Sequence, residues 1–137
     1  MKKLITLFLL AALLLLPACG SKKSVVTTVG EIHAAYEGNQ VSADAIYKDK
    51  WLTVTGYVDD IVSKKTSAWV YILDLDSVTS KYVVAIFDLE SKDIKKVGEL
   101  EVGDIVTVKG LFKGISVFGQ MGAVNLYESS LLNTVSE

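Results

Sequence analysis

The sequence predicts a mainly β domain: a five-stranded barrel preceded by an N-terminal amphipathic helix, with a short helix between strands three and four. The first reason is that the hydrophobic period changes near residue 50 from about 3.6 to about 2. The second is a series of short β-branched and aromatic runs separated by polar turns. The third is composition: 137 residues, 50% of them hydrophobic, with 14 basic and 16 acidic side chains, which fits one folded domain better than a disordered chain.

The N-terminus has the pattern of a secretory signal peptide. Two lysines follow Met1, and residues 4–16 are 13 uncharged, mostly apolar residues. A membrane-spanning helix needs about 20 apolar residues, whereas the hydrophobic region of a signal peptide needs only about 7 to 15. Residues 1–18 are therefore predicted to be a signal peptide.

The end of that run, Leu16-Pro17-Ala18-Cys19, resembles the lipobox of bacterial lipoproteins. The resemblance implies that the Cys19 thiol carries a diacylglyceryl group and that cleavage occurs before Cys19. The protein would then lie on the extracytoplasmic side of the cell membrane, held by lipid. Residues 19–137 hold 12 lysines against 16 acidic residues, a formal side-chain charge of −4. The small, polar residues after Cys19 suggest a flexible tether over 19–28.

The helical part is predicted over residues 29–47. Apolar side chains recur there at spacings near three, four and seven residues. Gly38-Asn39 lies in the middle, and the glycine weakens a helix by about 1 kcal/mol, so a kink or a break into two short helices is expected.

Strands are predicted at 51–58, 69–75, 82–87, 105–112 and 116–126, with a short helix within 88–97. Five strands with a helix between the third and fourth match the order of an OB-fold barrel. Gly56 and Gly110 fit positions where a strongly coiled barrel strand leaves no room for a side chain. This folded domain is predicted over 29–128, followed by a C-terminal tail at 129–137.

Several residues of this domain resemble the tRNA_anti-like family of small OB-fold proteins, many of which carry lipoprotein signals. They are Ala35-Tyr36-x-x-Asn39, Ala43, Ala45, Tyr47-Lys48-x-Lys50, Val54-x-Gly56-x-Val58 and Gly103-Asp104-x-Val106-x-Val108-x-Gly110. The resemblance covers about residues 29–128 and implies the fold. It implies no activity, because the matching positions are mostly glycines and core residues.

Composition and motifs argue against several kinds of chemistry. One Cys and one His cannot form an internal disulfide or a four-ligand zinc site. The sequence has no nucleophile elbow, zinc-protease motif, phosphate-binding glycine loop or EF-hand spacing, so no catalytic residue, metal site or cofactor is predicted. His33, on the predicted helix, is interpreted as a surface or hydrogen-bonded residue.

The remaining function is binding, and OB-folds generally bind ligands on the outer face of strands two and three. Six aromatic residues are candidates there, and about three are expected to fill the core instead: Trp51, Tyr57, Trp69, Tyr71, Tyr82 and Phe87. The predicted ligand face combines aromatic residues with two lysines of the first loop: Tyr57, Trp69, Tyr71, Tyr82, Lys64 and Lys65.

The composition also bears on the partner. All 14 basic residues are lysine, and arginine is the side chain best suited to phosphate and base edges. A peptide, glycan or envelope-protein partner is therefore preferred to nucleic acid. The sequence leaves two alternatives open: an assembly factor that docks through its helix face, and a single-stranded nucleic-acid binding OB-fold.

Overall fold

The computed structural model describes residues 23–76, 81–115 and 123–136. The signal peptide, the lipobox and Cys19 lie outside the described residues. Within the described ranges, no helix is long and apolar enough to cross a membrane. The elements are β1 (Ser24–Thr28), α1 (Val29–Gly38), α2 (Gln40–Tyr47), β2 (Lys50–Ser63), β3 (Ser67–Leu73), β4 (Tyr82–Asp88), α3 (Ile94–Gly98), β5 (Ile105–Phe112) and β6 (Val124–Val135).

The strands form one sheet in the order β1-β2-β3-β4-β6-β5, which closes because β2 also pairs with β5. The long strand β2 makes this closure possible: its first half pairs with β5 and its second half with β3, both antiparallel. Strand β6 pairs parallel with β4 and antiparallel with β5. The result is the predicted five-stranded OB-like barrel, with α3 between the third and fourth barrel strands.

Alternation along the strands fills the barrel as the period of two predicted. Leu52, Val54 and Val58 of β2 are buried, and so are Val106 and Val108 of β5. Burying one such side chain stabilises a fold by about 1.5–3 kcal/mol, so this interior is the main source of stability.

The helical segment is broken at Gly38-Asn39, as predicted. Asn39 is extended, with φ −157°, and it ends α1 and begins α2, where its side-chain oxygen accepts a hydrogen bond from the Ser42 N–H at 3.1 Å. The two helices place Tyr36 and Tyr47 against the barrel. Burial, together with a hydrogen bond that the hydroxyl donates to Asp44 at 2.8 Å, raises the pKa of Tyr36 above its ordinary value.

The prediction of a flexible tether over 19–28 is wrong for its second half. Residues 24–28 form β1, which pairs parallel with β2 from Ser24 beside Trp51 to Thr28 beside Thr55. Thr27 is buried, and Thr28 then caps α1 by accepting a hydrogen bond from the Glu31 N–H at 3.1 Å. The folded domain therefore includes Ser24–Thr28.

The predicted C-terminal tail at 129–137 is also wrong, because β6 continues to Val135 along β5. Its backbone is tied to the loop before α3: the Leu131 N–H donates to the buried Asp93 carboxylate at 3.1 Å. Most of the predicted fifth strand, residues 116–122, lies outside the described residues, and the described strand begins at Val124.

Candidate ligand-binding face

The second half of β2, β3 and β4 form one continuous wall of the barrel. Along β3 the side chains alternate strictly: Val70 and Ile72 are fully buried, whereas Trp69 and Tyr71 are half-buried on the outer side. We call this outer surface the aromatic face, defined by Tyr57, Trp69, Tyr71 and Tyr82.

The predicted ring residues come together in the middle of this face. Tyr71 and Tyr82, on neighbouring strands, pack edge to face with ring centroids 5.2 Å apart. Tyr82 is 41% exposed, so the pair offers open ring surface to solvent. Tyr57 lies opposite Leu73 in the β2–β3 register and extends the face towards β5.

Trp69 is held in place at the hairpin end of the face. Its indole N–H donates to the Ser67 hydroxyl at 2.9 Å, and the Lys64 Nζ lies 5.1 Å from the ring centroid. The turn that carries Lys64 and Lys65 is closed by the Lys64 N–H, which donates to the Ser67 carbonyl at 2.8 Å. A cation over an indole contributes about 0.5–1 kcal/mol at an exposed site.

Two carboxylates border the face, and the sequence analysis did not place them there. β2 continues beyond the predicted end at residue 58, and its register shifts between Val58 and Asp60, so Asp60 lies opposite Tyr71. Asp88 ends β4 opposite Ser67. Both acidic side chains are exposed. No local sequence signal indicates this position, because it depends on how β2 pairs with β3.

The expectation that three of the six candidate aromatics are core is corrected. Phe87 is fully buried; Trp51, Tyr57, Trp69 and Tyr71 are half-buried, and Tyr82 is exposed. The reason is volume: the small barrel is already filled by aliphatic side chains together with Phe87 and Phe112, so the indole and phenol rings lie outside.

The helices bury most of their apolar stripe, whereas Val41 and Ile46 of α2 remain exposed. The buried members of their apolar stripe pack on the barrel: Val29, Ile32, Tyr36, Ala43 and Tyr47. His33 is occupied as well, since its Nε2 lies 2.9 Å from the Tyr82 carbonyl oxygen. In residues 23–76, 81–115 and 123–136, no three His, Cys, Asp or Glu side chains gather as a metal site would require.

Comparison with known proteins shows the same fold in several contexts. The crystal structure of the "putative nucleic acid-binding lipoprotein" from Klebsiella pneumoniae subsp. pneumoniae aligns with a TM-score of 0.63 and 19% identity over 80% of this chain and 92% of that one. A "putative aspartyl-tRNA synthetase" from Leishmania major Friedlin aligns with a TM-score of 0.52 and 14% identity over 85% of this chain and 22% of that one. These identities show the fold alone.

A search of curated proteins finds no match. The family comparison is decisive, because the tRNA_anti-like family model matches residues 3–128. That range is most of the chain and includes α1, α2 and every strand of the barrel up to the middle of β6. The chain therefore belongs to the tRNA_anti-like family.

Proposed function

We propose that this protein is a lipid-anchored, non-enzymatic binding domain of the bacterial envelope, and that its aromatic face binds a neutral glycan. The observation that carries the proposal is the outward arrangement of Trp69, Tyr71 and Tyr82 on adjacent strands, with Tyr71 and Tyr82 already packed together. OB-folds use this same wall for oligonucleotides and oligosaccharides.

The aromatic face suits a ligand with flat or ring-shaped surfaces because its own rings are fixed before binding. Ser67 holds the Trp69 indole through its N–H, and the edge-to-face contact holds Tyr71 against Tyr82. A fixed ring loses little side-chain entropy when a ligand stacks on it, and that loss is one of the main costs of binding.

The charges beside the rings favour a neutral ligand over a polyanion. Asp60 and Asp88 are exposed at the edges of the aromatic face, against Lys64 and Lys65 in the hairpin turn. Carboxylates accept hydrogen bonds from sugar hydroxyls, and they repel phosphates. With a formal charge of −4 over residues 19–137, the domain also lacks the positive field that concentrates nucleic acid.

The Trp69→Ala variant is expected to lose about tenfold or more in glycan affinity, because a stacked ring contributes about 1–3 kcal/mol. The measurement is titration with soluble N-acetylhexosamine oligosaccharides. Tyr127→Ala, which removes an exposed ring from β6, is the matched control and should bind as the parent does. An equal loss of glycan affinity in both variants would contradict the proposal. So would a parent protein that binds neither oligosaccharides nor oligonucleotides.

Single-stranded nucleic acid is the second candidate, and one contact favours it: the Lys64 ammonium over the Trp69 ring, beside Lys65. Aromatic stacking next to lysines is how sequence-tolerant binders hold single strands. Titration with oligothymidine at low and high salt separates the candidates, since a phosphate-dependent affinity falls steeply as salt rises. Salt-sensitive oligothymidine binding without oligosaccharide binding would assign the aromatic face to nucleic acid.

The anchor has its own test. Cys19→Ser is expected to move the protein from the membrane fraction to unprocessed precursor or soluble product, because two acyl chains supply roughly 0.8 kcal/mol per buried methylene. Cell fractionation and mass spectrometry of the mature N-terminus measure this. Normal processing with unchanged membrane retention would count against lipidation at Cys19.

A further inference from the structure

We propose that the barrel wall opposite the aromatic face docks directly on an anionic membrane surface. We call this wall the basic face and define it by Lys23, Val26, Trp51, Lys109, Lys113 and Tyr127. The inference rests on the proposed anchor at Cys19, and it adds a protein surface that determines how the anchored domain is oriented.

The basic face is continuous because four strands lie side by side where the described chain begins. Val26 of β1 is beside Thr53 of β2, Trp51 of β2 is opposite Leu111 of β5, and Leu111 is in turn opposite Tyr127 of β6. The surface is partly apolar: Val26 is 79% exposed and Tyr127 is 39% exposed. Tryptophan and tyrosine beside aliphatic residues are typical of the membrane–water interface.

Lysines lie directly on these rings. The Lys109 Nζ is 5.9 Å from the Trp51 ring centroid, and the Lys113 Nζ is 5.8 Å from that of Tyr127. Lys23 immediately precedes β1. In such a pair the ammonium group can bind an anionic lipid head group, while the ring packs in the interfacial layer of the bilayer.

The charge of this wall is opposite to that of the whole domain. Strands β1 and β5 and residues 50–57 of β2 contain no Asp or Glu. The exposed acidic residues at the margin are Asp49, in the turn between Lys48 and Lys50, and Glu128, beside Tyr127. Lysines outnumber acids here although the mature chain is acidic, which makes an anionic surface the complementary partner.

The covalent geometry brings this wall to the bilayer. Five residue steps separate Cys19 from Ser24, a reach of at most about 18 Å. Ser24 is fixed on the basic face itself, since its hydroxyl lies 2.6 Å from that of Thr53. A lipid at Cys19 therefore keeps the Ser24 end of the basic face within about 18 Å of the bilayer. Head-group charge acts over only about 10 Å at about 0.1 M salt, so it attracts the lysines of this face when the wall turns towards the membrane.

Docking in this orientation leaves the aromatic face accessible. Strands β3 and β4 pair with the far half of β2 and with β6, across the barrel from β5. The aromatic face would thus point away from the lipid, where an envelope glycan can reach it.

The two tryptophans provide a direct test, because Trp51 lies on the basic face and Trp69 on the aromatic face. Processed, lipid-anchored protein is placed in vesicles that contain phosphatidylcholine brominated near the carboxyl end of its acyl chains. Trp69→Phe leaves Trp51 as the reporter, and Trp51→Phe leaves Trp69. With phosphatidylglycerol present, Trp51 should be quenched at least about twofold more than Trp69, as expected for an interfacial ring.

Charge-neutralising variants test the cause. Lys109→Gln combined with Lys113→Gln should remove most of the extra Trp51 quenching, because each lysine strengthens association with an anionic surface about fivefold. Lys95→Gln combined with Lys96→Gln, on exposed positions of α3, is the matched control and should leave the quenching unchanged. Vesicles of phosphatidylcholine alone should also abolish the difference between the two reporters.

The outcomes separate this inference from the proposed function. Flotation of the protein with neutral phosphatidylcholine vesicles reports the acyl anchor alone. Protein that floats but shows equal quenching of Trp51 and Trp69 in anionic vesicles has the anchor and no docking wall, which overturns the inference. An equal effect of the α3 control variants would overturn it too, and glycan affinity remains a separate measurement.

Discussion

Replacing Gly56 with valine is expected to destabilise the domain by about 3 kcal/mol or more, at the upper end of what overpacking costs. A Cβ at this position would lie 2.1 Å from the Leu73 carbonyl oxygen and 2.5 Å from the Ile72 Cγ2. The first of these atoms is backbone in the neighbouring strand, so it cannot move aside without opening the β2–β3 pairing. Urea unfolding followed by tryptophan fluorescence measures the loss.

Gly110→Val is expected to destabilise the domain similarly, because the Cβ added on β5 would lie 2.6 Å from the Leu126 Cβ and 2.8 Å from the Ser129 Oγ of β6. Gly38→Ala is the control: no atom lies within 4 Å of its added Cβ, and alanine favours a helix by about 1 kcal/mol over glycine. Parent-like stability of both valine variants would mean that the barrel is assigned wrongly.

Phe112→Ala is expected to cost about 3–5 kcal/mol, the usual range for deleting a buried phenylalanine. The ring is fully buried at the end of β5 and packs edge to face on Tyr36, with centroids 5.8 Å apart. It therefore joins the helices to the barrel. Removing the Phe112 ring leaves a cavity between the helices and the barrel, which are connected in sequence only through short turns.

The same unfolding measurement checks this expectation, with Tyr127→Ala as the comparison. Tyr127 is on the next strand and is 39% exposed, so its replacement should cost less than about 1 kcal/mol. An equally small effect of Phe112→Ala would show that the helices contribute little to the stability of the barrel.

The barrel could be predicted because β3, β5 and the first part of β2 carry the period of two without interruption. In Trp51-Leu52-Thr53-Val54 the alternation identified the buried side correctly, and in Trp69-Val70-Tyr71-Ile72 it offered two apolar sides. In this strand periodicity alone could not identify the buried side, because either Trp69 with Tyr71 or Val70 with Ile72 would have been a reasonable core. Only the closure of a small barrel, which accepts the aliphatic set more easily than two large rings, decides which side is outside.

Strand β1 and the end of β6 could not be predicted, for a different reason. Ser24–Thr28 is short, and its partner strand begins more than twenty residues later, so no local pattern indicates the parallel pairing. The end of β6 contains polar residues because that part of the strand is largely exposed, and its attachment depends on the remote Asp93. Non-local pairings of this kind are the part of a fold that local signals leave open.

The same limit applies to the candidate site. The aromatic residues and the two lysines were identifiable, because strand and turn positions follow from spacing. Asp60 was not, because its outward position depends on the register shift after Val58, and that shift changes which face the following residues occupy.

The parallel pairing of β1 with β2 has a mechanical consequence. A pull on the chain at Ser24, directed along β1, acts parallel to the strand axis, and the evenly spaced hydrogen bonds of a parallel ladder share that load. The five register positions must then yield together in shear, instead of opening one at a time as a hairpin does when it is peeled from its end. The proposed anchor at Cys19 would therefore pull on the domain through a ladder that is loaded in shear.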